Sequence, residues 1–171
     1  MAIDEIAKPV NVWCPHCDVG VGCKIYATKP SECTTFQCGW LSDSKFGDEW
    51  YPGKSKMVLT ADNGGNRITI AVDPGRADAW RKDPYYRQIK TWAHAALPHQ
   101  GQVMIKNGDR MTMILPDDDV DLGIVRQDQL IVTGEQQTPQ GVKLRAFVID
   151  RDDPRAKGLN PGNWSDVILK K

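Results

Sequence analysis

The stretch "KMVLTADNGGNRITIAVD", residues 56–73, sets two apolar, β-branched runs on either side of a turn. "KMVLTA" and "RITIAVD" carry the residue types that suit a pleated, half-buried surface, and "DNGGN" supplies the glycines a tight reversal needs. The stretch predicts a β-hairpin. Beyond it, Tyr85, Tyr86, Ile89, Trp92, Ala93, Ala96 and Leu97 recur at helical spacing. They predict one helix, with Asp83 as its cap, Pro84 in its first turn and Pro98 at its end. An aromatic stripe of that period is a core-facing side. The basic and aromatic window "WRKDPYYRQIKTW" is therefore read as a helix and not as a base-stacking surface.

In "QVMIKNGDRMTMIL" the pair Asn107-Gly108 predicts a second hairpin, because a type I′ turn needs two residues that accept positive φ. "QLIVTG" and "VKLRAFVID", joined by the loop "EQQTPQ", and a last run "WSDVILK" make a β-rich tail. The expected class is α+β. A loop-rich cysteine-cluster segment, residues 1–54, packs on a mainly antiparallel β body with one clear helix, residues 55–171, in one compact domain.

Residues 1–54 show little periodicity and hold all five cysteines of the chain, Cys14, Cys17, Cys23, Cys33 and Cys38. A chain of 171 residues buries about 70% of its unfolded surface on folding, so it does not need thiols as staples. An odd count also suits no disulfide framework. The N-terminus lacks the basic and apolar regions of a secretory signal, and no apolar run reaches the ~20 residues of a membrane helix. The expected setting is the cytoplasm, where thiols stay reduced, with no membrane partner.

Reduced, clustered thiols point to a metal. The C-x2-C pair Cys14/Cys17 brings two thiolates to one ion from a single turn, and Cys33 and Cys38 can close the sphere from the far side. Soft thiolates suit zinc or an iron–sulfur cluster, not magnesium or calcium. His16, inside the C-x2-C loop, is expected to point outward. A segment without its own core gains its folding energy from such ligation.

The remaining motifs carry little chemistry. Asp117, Asp119, Asp121 and Asp128 stand at positions 1, 3, 5 and 12 of an EF-hand-like loop, but Leu122 occupies the position that needs glycine. That run is read as an acidic, solvated turn. No nucleophile elbow, P-loop, dinucleotide fingerprint or H-E-x-x-H is present, and no catalytic residue is assigned. His94 and His99 are read as surface or capping residues, and Trp40, Trp50, Trp80, Trp92 and Trp164 as packing residues. With 22 basic and 22 acidic residues the chain has no basic excess to suit a nucleic acid.

"CPHC", "GCKIYATKPSECTTFQCGWL" and, more loosely, "KSKMVLT", "VDPGRADAWRKDPYY" and "LPDDDVDLG" resemble the YkgJ-like cysteine-cluster family, a group of zinc- or iron-chelating domains. The motif runs through Cys14-Pro15, Cys23, Ile25-Tyr26, Lys29-Pro30, Cys33, Phe36 and Cys38. It implies Cys14, Cys23, Cys33 and Cys38 as the leading ligands, with Cys17 as the substitute. The family pattern also has an upstream C-x2-C-C block, which would lie before Met1. Five thiols without it are expected to hold at most one ion per chain. The expected function is metal binding, zinc or iron, without catalysis, with a protein partner possible. The alternative is an iron–sulfur redox protein or a component of a protein-modifying enzyme, since some relatives are linked to protein lysine methylation.

Overall fold

A computed structural model of the chain describes residues 2–10, 12–18, 21–62 and 65–157. The cysteine segment contributes two short strands, β1 (Cys17–Asp18) and β2 (Gly22–Cys23), and three short helices, α1 (Ser31–Thr35), α2 (Gly39–Ser42) and α3 (Pro52–Ser55). The body begins with the hairpin β3 (Met57–Asp62) and β4 (Arg67–Val72), as its sequence predicts. The helix α4 (Tyr85–Ala96) then crosses back, and β5 (Gln102–Asn107) pairs parallel to β4. Strands β6 (Arg110–Ile114) and β7 (Asp119–Ile124) extend the sheet antiparallel, giving the order β3-β4-β5-β6-β7. A separate two-stranded ribbon, β8 (Gln129–Thr138) and β9 (Gly141–Asp150), follows. The fold is α+β, mainly antiparallel, with α4 as its one long helix. The single parallel pair exists because a helix joins its strands, and only a crossover of that length can return the chain in the same direction.

Alternation along the strands assigns the two faces of the sheet. Met57, Leu59, Ile70, Val72, Val103, Ile105 and Ile114 form one buried face with Ile89 and Ala93 of α4. Met104, Met113 and Leu115 point the other way and meet Ile131, Leu144 and Ala146 of the ribbon. The outer side of the ribbon, Leu130, Val132 and Ile149, is covered by Ala156 from the 3-10 turn Pro154–Ala156. A buried polar contact ties sheet to ribbon. Gln102 Nε2 donates to Thr133 Oγ1 at 3.2 Å, and Arg67 donates to Gln102 Oε1 at 2.9 and 3.1 Å.

Part of the cysteine segment belongs to this core. Trp50 is 1% exposed, lies 4.9 Å from the Trp92 ring and 5.0 Å from the Tyr85 ring, and donates its indole N–H to Gln88 of α4. Phe46 meets Trp92 edge-on at 5.7 Å. Helix α2 reaches the edge strand β3 through Gly39, where a Cβ would stand 3.2 Å from Leu59 Cβ and 3.3 Å from the Phe46 ring. Aromatic packing of residues 38–50 against α4 therefore needs no metal.

Four local expectations are corrected. The turn between β5 and β6 is Gly108-Asp109, since Asn107 still pairs with Arg110, and the positive φ of 60° falls on Gly108. Asp83 does not cap α4. Pro84 holds the cap position without a side-chain bond, and Asp83 pairs with Arg87 at 2.7 Å. "EQQT" is strand and not loop: β8 runs through Thr138, and the reversal is Pro139-Gln140, because register with β9 continues through Glu135↔Leu144 to Thr138↔Gly141. The acidic run becomes a strand from Asp119, because Ile114↔Asp119 pairing extends the sheet. The run "WSDVILK", with Trp164, lies outside the described residues.

Candidate metal centre

The C-x2-C turn forms as its spacing requires. The Cys17 N–H donates to the Cys14 carbonyl at 3.0 Å, which folds residues 14–17 into one tight loop. Strand pairing then sets Cys17 directly opposite Cys23, and the Lys24 N–H closes the hairpin on the His16 carbonyl at 2.9 Å. The third element is α1, which carries Cys33. The N-terminal arm fixes this helix: the Ser31 N–H and hydroxyl donate to Glu5 Oε1 at 2.9 and 2.6 Å, and the Asp4 N–H donates to Glu32 Oε1 at 3.2 Å. Those bonds to Ser31 hold the Glu5 carboxyl below the ordinary range.

Cys33 shares its surroundings with Cys14 and Cys23. Burial pushes its thiol up first, and the neighbouring Cys14, Cys23 and Glu32 add to the shift, with Lys29 opposing them. Cys14, Cys17 and Cys33 are half-buried and Cys23 is exposed, whereas Cys38 is 4% exposed. Cys38 precedes the first residue of α2, where its carbonyl accepts from Leu41, Ser42 N–H and the Ser42 hydroxyl. Among the described residues, no three His, Cys, Asp or Glu side chains stand together as a ready ligand set. His16 is half-buried.

Cys14 and Cys17 also line a cleft of about 1000 Å³ between the cysteine arm and the sheet. Its far wall is the part of the sheet that the ribbon leaves open, with Val58, Ala71 and Lys106 in one register row. Val12, Trp13 and Val21 border it and are exposed.

Three carboxylates of the acidic run, Asp119, Asp121 and Asp128, are taken by cations. Asp119 is 14% exposed, faces Lys90 of α4 at 2.7 Å, and accepts from the Tyr86 hydroxyl at 3.0 Å. Its Oδ1 has this charge contact and no hydrogen-bond partner among the described residues. Asp121 pairs with Arg110 at 2.6 Å and Asp128 with Arg126 at 3.0 Å. This polar link between helix and sheet was hidden in the sequence, where Lys90 and Asp119 are far apart. His94 and His99 are exposed, on the last turn of α4 and in the 3-10 turn after it. No helix among the described residues is long and apolar enough to cross a membrane. Comparison of the chain with family models, with curated proteins and with solved structures gave no significant match.

Proposed function

We propose that the protein binds one zinc or iron ion through the thiolates of its N-terminal segment and is not itself a catalyst. What supports this reading is the turn that joins Cys14 to Cys17 and the ladder that sets Cys17 opposite Cys23, with Cys33 on the short helix that the N-terminal arm holds. The donor set fits a soft ion, and four thiolates complete a tetrahedral shell. Binding of the ion and ordering of the segment are coupled, so ligation itself would close the shell. Cys38 is the weakest candidate of the five, since it is already buried as a small apolar side chain would be. This ranks Cys17 above Cys38, the reverse of the order the family motif implies.

Thiolate ligation belongs in a reducing compartment, so a cytoplasmic setting follows from the same reading. The exposed Val12, Trp13 and Val21 beside the thiols favour a protein partner at the same end of the molecule. The test is elemental analysis of protein purified without oxygen or chelator. About one zinc or iron per chain is expected, and visible absorbance would separate an iron–sulfur cluster from zinc. Protein free of both metals would end the proposal.

A further inference from the structure

A second cavity, of about 630 Å³, lies on the body, where the end of α3 meets the loop that follows β4. Lys54, Lys56, Arg76 and Lys82 line it against a single carboxylate, Asp78, with the Tyr85 ring at one side. Charges over the whole chain cancel, 22 against 22, so this excess is local. One backbone bond and one side-chain bond of Asp73 build the site. The Asp73 N–H donates to the Lys56 carbonyl at 2.9 Å, and the Asp73 carboxylate accepts from the Gly75 N–H at 2.9 Å. They hold the loop that carries Arg76 against the turn that carries Lys54 and Lys56. Tyr85 is fixed by its hydroxyl, which donates to the Glu49 carbonyl at 2.8 Å. Lys56 donates to the Gly53 carbonyl. Lys54, Arg76 and Lys82 make no ion pair among the described residues, and Asp78 is 3.9 Å from Arg81.

Like charges gathered in one concavity repel, and low-dielectric walls strengthen the field there. An arrangement with three unpaired cations is stabilised by an anion of more than one charge. A planar guanidinium and two or three ammonium groups match a tetrahedral group that accepts on every side better than a single carboxylate. The volume exceeds that of bare phosphate and falls in the range of small-molecule sites. Lys56, Pro74 and Gly75 also line the apolar cleft beside the cysteine arm, so the two cavities are neighbours. We propose that this pocket binds the phosphate group of a small phosphate ester, whose organic body lies along Tyr85 or into the adjoining cleft. The site stands on residues of the body and holds whether or not the thiols carry metal.

The experiment is titration of the whole chain with phenyl phosphate, inorganic phosphate and a short single-stranded oligonucleotide at constant ionic strength, followed by amide NMR shifts. Phenyl phosphate is expected to bind saturably, with Kd of about 1 mM or tighter, moving amides of residues 54–56 and 75–79. Inorganic phosphate should move the same amides more weakly. Arg76→Gln or Lys82→Gln should each weaken phenyl phosphate about tenfold, the loss of one charge-assisted contact, while Lys143→Gln on the ribbon leaves it unchanged. Both pocket side chains are on exposed residues, and the same spectra report whether each variant is folded. Lack of saturable binding by either phosphate, equal weakening by Lys143→Gln, or preference for the oligonucleotide would overturn the assignment.

Discussion

Cys17 and Cys23 are direct partners across the β1–β2 ladder. Directly opposed antiparallel residues have Cα atoms about 4.5–5.5 Å apart, within the span a disulfide can bridge. Metal-free protein treated with oxidised glutathione should therefore form Cys17–Cys23 in competition with Cys14–Cys17, the pair that sequence spacing alone favours. Loading with zinc beforehand should block both, because ligated thiolates are not free to attack. Peptide mapping by mass spectrometry reads the outcome. A dominant bridge to Cys38 would contradict the described placement of that residue.

The two roles assigned to cysteines separate by substitution. Cys33→Ser should abolish or greatly reduce metal content, since one of four ligands is lost. Cys38→Ala should leave metal content unchanged. Cys38→Ser should cost about 1–3 kcal/mol of stability, because a hydroxyl enters an apolar site already occupied by an inert thiol. Elemental analysis and urea unfolding of the three variants check this.

Chelation should loosen only part of the chain. Residues 38–50 pack against α4 through Trp50 and Phe46, so their hold is aromatic and not thiolate. Hydrogen exchange should rise over residues 12–37 and stay unchanged from Cys38 to Asp150. Loss of protection across the sheet would mean that metal binding and the body form one cooperative unit.

Lys90 and Asp119 join α4 to β7 at a site where both side chains are more than four-fifths buried. Asp119→Ala leaves the ammonium without a carboxylate, facing the carbonyls of Leu115 and Asp118 and the Tyr86 ring, and should cost about 2–4 kcal/mol. Asp121→Ala removes an exposed partner of Arg110 and should cost far less, because solvent screens that pair. Equal losses in urea titration would show that burial does not govern these pairs.

Asp153 supplies the pH dependence of the C-terminal turn. Hydrogen bonds from the Arg155 guanidinium, then from its backbone N–H, hold the carboxyl down at about 2. A lowered value means that the folded state releases this proton more readily than the unfolded one. The contribution is therefore present above the ordinary 3.8 and lost as pH falls toward about 2. NMR titration of the Asp153 carboxyl should show this midpoint, and Arg155→Gln should raise it.

The sequence by itself determined the elements whose signals are local. The hairpin around "DNGGN" and the helix at Tyr85–Ala96 follow from side-chain periodicity, which every residue in the run repeats. The clustering of thiols and the C-x2-C turn were equally legible, because ligands from one short segment need no tertiary contact to be neighbours in the chain. Where neighbouring residues allow two answers, long-range pairing decided. "EQQT" reads as loop until β9 offers ten partners in register. The acidic run reads as a solvated turn until β6 pairs with it and Lys90 draws Asp119 inward. The sequence ranks Cys38 above Cys17 as a ligand, yet Cys38 is buried at the start of α2, while a two-residue ladder sets Cys17 opposite Cys23. The four cations of the phosphate pocket come from the end of α3 and from the chain between β4 and α4, so no run of charge marks them. The bond from the Asp73 N–H to the Lys56 carbonyl joins those segments, and the Asp73 carboxylate shapes the loop at Gly75; together they place the cations around one cavity and make their repulsion a reason to bind an anion.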